Sequence, residues 1–530
     1  MKNIFLTSVS AAALLIAAPA VAQSNNSTVT QSGSGQNAEV TQSGSSNGST
    51  VTQSGSNNEA DVTQSGTNAT SSVTQSGTNS QAASRNNQVT VKQSGNSAAS
   101  TVVQQPGAGI DNRNVVLVEQ DGDNTSDVFQ AGTANGAEVH QGGGSGNSST
   151  ITQSGQLNSI GDGVDNNASA GVSQFGSDNT SSIDQDPATR AVASVSQTGD
   201  ENSSIIRQET TGGPSASTSS TASVSQTGLS NEATITQLSS ADPSLLDATV
   251  VQNGEENSAT VDQSGSNNDA LVAQNGNENR ALVLQSATGN SASSTQNGNE
   301  GVSEIRQAGS ANTATLAQSG SQNDSFIEQR LNANNNTVEF TQGGNNNAAR
   351  AVQVGQRIRT ADAVNNTIKL NQSGSNNFSG TSQEGSGNLA DITVSGAGVS
   401  VAGRQTTGAG YRDNEPPETD VWQVSDDNKA FIEQASDASR VTIYQGTDLT
   451  GGGNNTADVT QTASADGSRA DVIQNGSDHT ALVTQTGLGS ESYITQTGLN
   501  NDATVTQGGA DNTSFITQGG SNNTAVVNQN

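Results

Sequence analysis

The feature that most restricts this chain is a phrase of alternating residues that returns every 11 positions. In Gln53–Gln64 it reads Gln-Ser-Gly-Ser-Asn-Asn-Glu-Ala-Asp-Val-Thr-Gln. Asn58, Ala60, Val62 and Gln64 stand at every second position, and alternate side chains of a strand share one face. They therefore point one way, while Glu59, Asp61 and Thr63 point the other. The β-branched residues, the recurrent Gly and the absence of a 3.6-residue period argue against helix. Ser54-Gly55-Ser56-Asn57 reads as a turn, in which Gly, and often Asn, supplies the backbone freedom. Each unit is thus one short strand and one tight turn.

The Gln positions form ladders along the chain: Gln31, Gln42, Gln53, Gln64 and Gln75; then Gln252, Gln263, Gln274, Gln285, Gln296, Gln307, Gln318 and Gln329; then Gln474, Gln485, Gln496, Gln507, Gln518 and Gln529. With Val394 counted as a substituted position there are 41 units, and 27 of the 40 gaps between them are 11 residues long. Two positions before the Gln, 37 of the 41 units carry Val, Ile, Leu or Phe, the exceptions being Ser294, Ala351, Thr381 and Gly403. This column predicts the core through Val29, Val40, Val51, Val62, Val73, Val261, Val272, Val283, Val505, Ile516 and Val527. Composition alone, with 29% hydrophobic residues, 2% aromatics and a mean hydropathy of −0.57, would indicate disorder. The phased repeat overrides it.

Longer gaps locate the turns. After the extra residues that follow Gln75, Asn87, Val89 and Val91 resume in phase before Gln93. After Pro106–Arg113, Asn114, Val116 and Val118 do the same. Turn insertions are expected near 78–86, 105–113, 156–167, 209–219, 238–245, 356–365, 406–417 and 447–454, the pattern a solenoid tolerates. A lone strand of this kind cannot bury its apolar face, so units must stack. The expected fold is all-β: a β-solenoid (β-helix) of 11-residue strand-turn units over residues 23–530, two units per 22-residue rung. It would have about 20 rungs at ~4.8 Å each. Inside, Val stacks on Val, and Gln and Asn stack on their own kind with amides hydrogen-bonded along the axis. Such ladders would spare each buried amide a penalty of ~1–3 kcal/mol.

The N-terminus reads as a signal peptide over 1–22: Lys2, the apolar run Ile4–Ala18, and an A-x-A site at Ala20-Val21-Ala22. No later stretch is apolar enough to span a bilayer. A formal charge of −31 disfavours nucleic acid and anionic lipid as partners. There is no Cys, so disulfides and thiolate metal sites are excluded. His140 falls on an outward position and His479 at the Asn position, with nothing to pair the two, so no catalytic or metal site is expected and the chain reads as a non-enzyme without a cofactor. Asp121-Gly-Asp123-Asn124 and Gly161-Asp-Gly-Val-Asp165 leave room only for weak surface calcium, because the nonapeptide and EF-hand patterns are both absent.

Outward acids (Glu39, Asp61, Glu138, Glu304, Asp458, Asp471) would guard against lateral clumping. Trp422 and Tyr444 lie 22 residues apart, as do Tyr493 and Phe515, so each pair should stack on adjacent rungs as exposed aromatics that cover the sheet or serve adhesion or carbohydrate stacking. Gly408–Pro417 and Thr210–Ser220 are the most loop-like insertions.

The phrase Q-x-G-x-x-N-x-A-x-x-x-Q, as in Gln53–Gln64 and Gln263–Gln274, resembles the curlin repeat, and the likeness covers nearly all of 23–530. The resemblance implies a secreted, extracellular or cell-surface subunit of curli fibres from a Gram-negative bacterium. It further implies an amyloid assembly for adhesion and biofilm matrix, end-to-end self-association with its own kind and curlin-type subunits, and an outer-membrane export apparatus. This chain has far more repeats than familiar curlin subunits and lacks their Gly-rich export segment, since Val29 and Gln31 follow the cleavage site at once. Independently, neither the start at Val29-Thr-Gln31 nor the end at Val526–Asn530 reads as a cap, and an uncapped edge with a Gln/Asn ladder is a template for another copy. The alternative is a monomeric adhesin or surface-binding rod for carbohydrate or ice. An ice binder needs a flat face of regular Thr, and the outward positions mix Thr, Ser, Asp, Glu and Ala.

Overall fold

The computed structural model describes residues 24–78, 87–106, 114–156, 159–160, 171–189, 191–210, 220–239, 245–330, 333–354, 363–398, 400–401, 420–446 and 453–530. The expected signal peptide, most of the expected insertions, Gly161–Asp165 and Gly408–Pro417 lie outside these residues. The chain divides after Glu256 into two compact units. Each is a parallel β-solenoid of two sheets, with no helix among the described residues.

In the first unit, successive strands alternate between the sheets. Gly48–Ser56 lies between Asn26–Ser34 and Thr70–Thr78, with Val51 opposite both Val29 and Val73. Glu59–Gln64 lies between Asn37–Gln42 and Gln88–Gln93 in the other sheet. Pairing is thus in phase, every strand on the next strand but one, which makes one rung from two units. The second unit repeats the scheme: Arg280–Gln285 lies between Ser258–Ser264 and Val302–Gln307, and Ser291–Asn299 between Asn268–Asn275 and Thr313–Ser321.

In-phase stacking puts each apolar residue over its equivalent. Val51, Val62, Val73, Val261, Val272, Val283 and Val505 are fully buried and Ile516 nearly so. Val29, by contrast, is 45% exposed, and Val40 and Val527 are half-buried. Their strands are each paired on one side only among the described residues, so half of the expected burial is missing. Three exceptions in the apolar column, Ser294, Ala351 and Thr381, are still interior. Ser294 is buried and its hydroxyl meets that of Ser303 at 2.6 Å, and Ala351 is fully buried.

Two expectations need correction. Ser54, Gly55 and Ser56 are not outside the ladder; they pair with Ser32, Gly33 and Ser34, so the strand continues round the corner. It can do so because Gly55 takes a φ of +95°, and the bend is completed by Asn57 at +57°, a left-handed conformation that Asn tolerates better than most residues. Nor do all length changes fall in turns. Ser400–Val401 and Asp420–Gln423 both pair with Phe378–Glu384 on one side and Arg440–Gln445 on the other, so together they fill one strand position. The unit assigned to Gly403 and Gln405 lies outside the described residues. Ser159–Ile160 and Val172–Phe175 share a strand position in the same way. The ladder needs each side chain in its column, and it does not need the column positions to be contiguous in sequence.

Candidate functional site: amide ladders and outward faces

The Gln that ends most strands is buried and must satisfy two N–H groups and a carbonyl. Its rung neighbours do so. In the first unit Gln31 Nε2 donates to Gln53 Oε1, and Gln53 Nε2 to Gln75 Oε1, each at 2.8 Å. The second N–H of Gln53 reaches across to the carbonyl of Asn37 at 2.9 Å. The facing ladder runs from Gln42 to Gln64 and on to Gln93 at 2.8 Å per step. The second unit has the same arrangement: Gln263 to Gln285 to Gln307 to Gln329, and Gln274 to Gln296 to Gln318, at 2.8–2.9 Å. Near its end Gln474 donates to Gln496 and Gln496 to Gln518, while Gln485 donates to Gln507 and Gln507 to Gln529. Every one of these bonds runs from the earlier rung to the later one. The ladders are polar chains with one sense.

Asn does something the sequence did not reveal. It staples the turns of neighbouring rungs through their backbones. Asn179 Oδ1 accepts the backbone N–H of Asn202 at 3.0 Å, and Asn202 Nδ2 donates to the carbonyl of Gly228 at 3.0 Å. Some Asn side chains also bond directly, as Asn202 Nδ2 does to Asn179 Oδ1.

His479 occupies this Asn column and is buried, with 1% of its surface exposed. Its Nδ1 accepts the N–H of Asn501 at 3.3 Å and its Nε2 faces the carbonyl of Asn475 at 3.3 Å. An imidazole that accepts at Nδ1 and donates at Nε2 is neutral. Burial accordingly lowers its pKa. Below about pH 6.5 the unfolded chain takes up a proton at this residue that the folded chain resists, so its stability contribution is present above that pH and is lost as pH falls toward the lowered folded value. Thermal unfolding measured between pH 7.5 and 5 should show a fall in midpoint that His479→Asn largely removes. Parallel curves for the two proteins would show that His479 is not the titrating group.

His140 lies outside, where its Nδ1 faces Glu119 at 3.1 Å and its Nε2 faces Glu138. Lys92 bonds the other oxygen of Glu119 at 2.8 Å and holds that carboxyl below its ordinary range. Several of the outward acids thus have local partners: Glu138 faces the His140 ring, Glu304 pairs with Arg306 and Asp471 with Arg469. Among the described residues no group of three His, Cys, Asp or Glu side chains is placed to hold a metal ion. Asp121 and Asp123 are exposed turn residues.

Trp422 pairs in register with Tyr444, their ring centroids 5.5 Å apart and edge-to-face. Tyr493 and Phe515 stack at 4.9 Å with an 8° angle between planes, and Arg469 lies 5.3 Å from the Tyr493 centroid. The stacked rings face each other along the ladder, which turns one face of each away from any flat ligand.

The family model described as the curlin associated repeat matches residues 23–55, 44–77, 122–155, 246–276, 304–330, 365–396, 465–498 and 499–530. No curated protein matches the chain.

Proposed function

This chain is a curlin-repeat protein, and from that premise we propose that it is a structural subunit of an extracellular, curli-like amyloid fibre serving adhesion and biofilm matrix. The observation that carries the proposal is the single sense of the Gln ladders. A chain of amides donating always from earlier to later rung is continued by a second copy only when that copy adds head to tail, because a reversed copy opposes carbonyl to carbonyl at the first rung or N–H to N–H at the last. Parallel, in-phase strands bearing identical side chains are also the pairing mode of cross-β assemblies. The apolar leader of residues 1–22 agrees with a secreted location. Trp422 and Tyr444 meet edge-to-face and Tyr493 and Phe515 stack on each other, so in both pairs a ring partner already takes up aromatic surface that a carbohydrate-stacking rod would offer.

The test is assembly of the purified chain lacking 1–22 under native buffer conditions, followed with a cross-β dye and fibre diffraction. A rise in dye signal with a meridional reflection near ~4.8 Å is expected. Protein that stays monomeric and dye-negative would overturn the fibre role.

A further inference from the structure

The second unit carries a groove of about 550 Å³ on the outward side of one sheet, running across successive rungs beside the Gln ends of the strands. Its volume is in the range of small-ligand sites. Register sets its chemistry: Asp262 lies opposite Leu284, Leu284 opposite Arg306, and Arg306 opposite Glu328. Leu284, Ala308 and Val354 line it with apolar surface and are each half-buried.

The two cations of the groove are spoken for within their own strands. Arg306 pairs with Glu304, and Arg330 with Glu328 at 2.8 Å. Asp262 has no cationic partner among the described residues, and the groove walls raise its carboxyl pKa by desolvation. The groove therefore has one uncompensated negative charge at one end of an apolar track about 14 Å long, three rung spacings. A chain of net charge −31 adds a field that concentrates cations and repels anions.

We propose that this groove binds a cationic ligand with an apolar body, an ammonium or guanidinium on an aliphatic or aromatic stem. The cation sits on Asp262, and the stem lies along Leu284 and Ala308. The site faces outward and is independent of the strand edges, so it is present whether or not the chain assembles.

The experiment is calorimetric titration of the full purified chain at low ionic strength with n-octylammonium, with octanoate and n-octanol as controls. Saturable binding of octylammonium at one site is expected, weakened at least tenfold by Asp262→Asn and several-fold by Leu284→Ser. Asp502→Asn, an exposed acid on the other sheet, should leave it unchanged. Octanoate should not bind. The proposal is overturned if octylammonium shows no saturable binding, if octanoate or octanol binds as tightly, or if Asp262→Asn binds like the parent chain.

Discussion

Gln296→Glu is expected to open the middle of the second unit at pH 7 and to recover on acidification. Gln296 is buried, accepts from Gln274 at 2.9 Å, and donates to Gln318 Oε1 at 2.9 Å and to the carbonyl of Arg280 at 3.1 Å. A carboxylate has the same shape but no N–H, so two acceptors would face a buried charge with one donor left. Breaking a buried polar pair in this way costs about 3–5 kcal/mol. The introduced carboxyl would have its folded pKa raised above ~4.3. Its penalty is therefore full well above that pH and falls away as the folded state takes up a proton, because the protonated acid again presents a donor toward Gln318. Thermal unfolding and amide exchange at pH 7 and pH 4, each compared with the parent at the same pH, would check this. Equal losses at both pH values would mean that the ladder hydrogen bond is not what holds the rung. The chain supplies its own milder comparison at Val394, where an apolar residue stands in the Gln column. There Gln372 turns its amide to Ser379 Oγ at 2.6 Å, and Gln434 Oε1 is left without a donor. An apolar replacement orphans one acceptor, a loss of about 1–3 kcal/mol, without adding charge.

Much of this arrangement is legible in the sequence because the same physical demand is repeated. Alternation fixes the inward face, the 11-residue spacing fixes the column, and two units per rung follow from the need to cover a strand of four inward residues. What stays hidden lies between rungs. The Asn column looks in sequence like the Gln column, yet its oxygen serves the next rung's backbone, as Asn179 does for Asn202. That use depends on where the turn places the amide. His479 reads as an interruption of the Asn column, although its Nδ1 can replace an amide oxygen. Ser400–Val401 and Asp420–Gln423 fill one strand position although they are far apart in sequence; a ladder tests position in space and is blind to contiguity. The groove at Asp262 was illegible for a related reason. It is assembled from outward side chains about two units apart in sequence, whose volumes and ion pairs carry no periodic signal.

The glycine column is where backbone geometry leaves least choice, and there a single methyl group should have the other large effect. Gly498 has a φ of +108° and stacks on Gly520; a Cβ on it would lie 1.9 Å from the Gly520 carbonyl oxygen. The obstacle is backbone, so no side chain can move aside. Alanine would have to leave its left-handed conformation, which carries a penalty of roughly 1 kcal/mol or more, and also push two rungs apart at the corner where they are hydrogen-bonded. Gly498→Ala is therefore expected to destabilise by more than about 3 kcal/mol, beyond the ordinary range for point substitutions. Gly48 supplies the contrast. It sits in a strand without a positive φ, and a Cβ there would meet nothing within 4 Å. Gly48→Ala should be neutral or stabilising by about 0.5–1 kcal/mol, since it lowers the freedom of the unfolded chain without straining the fold. Thermal unfolding of both variants beside the parent separates the two cases. Similar midpoints for both would mean that the corner can widen to admit a side chain, and that the repeated Gly is there for flexibility of the unfolded chain. A large loss confined to Gly498→Ala would mean that it is there because neighbouring rungs come too close for any other residue.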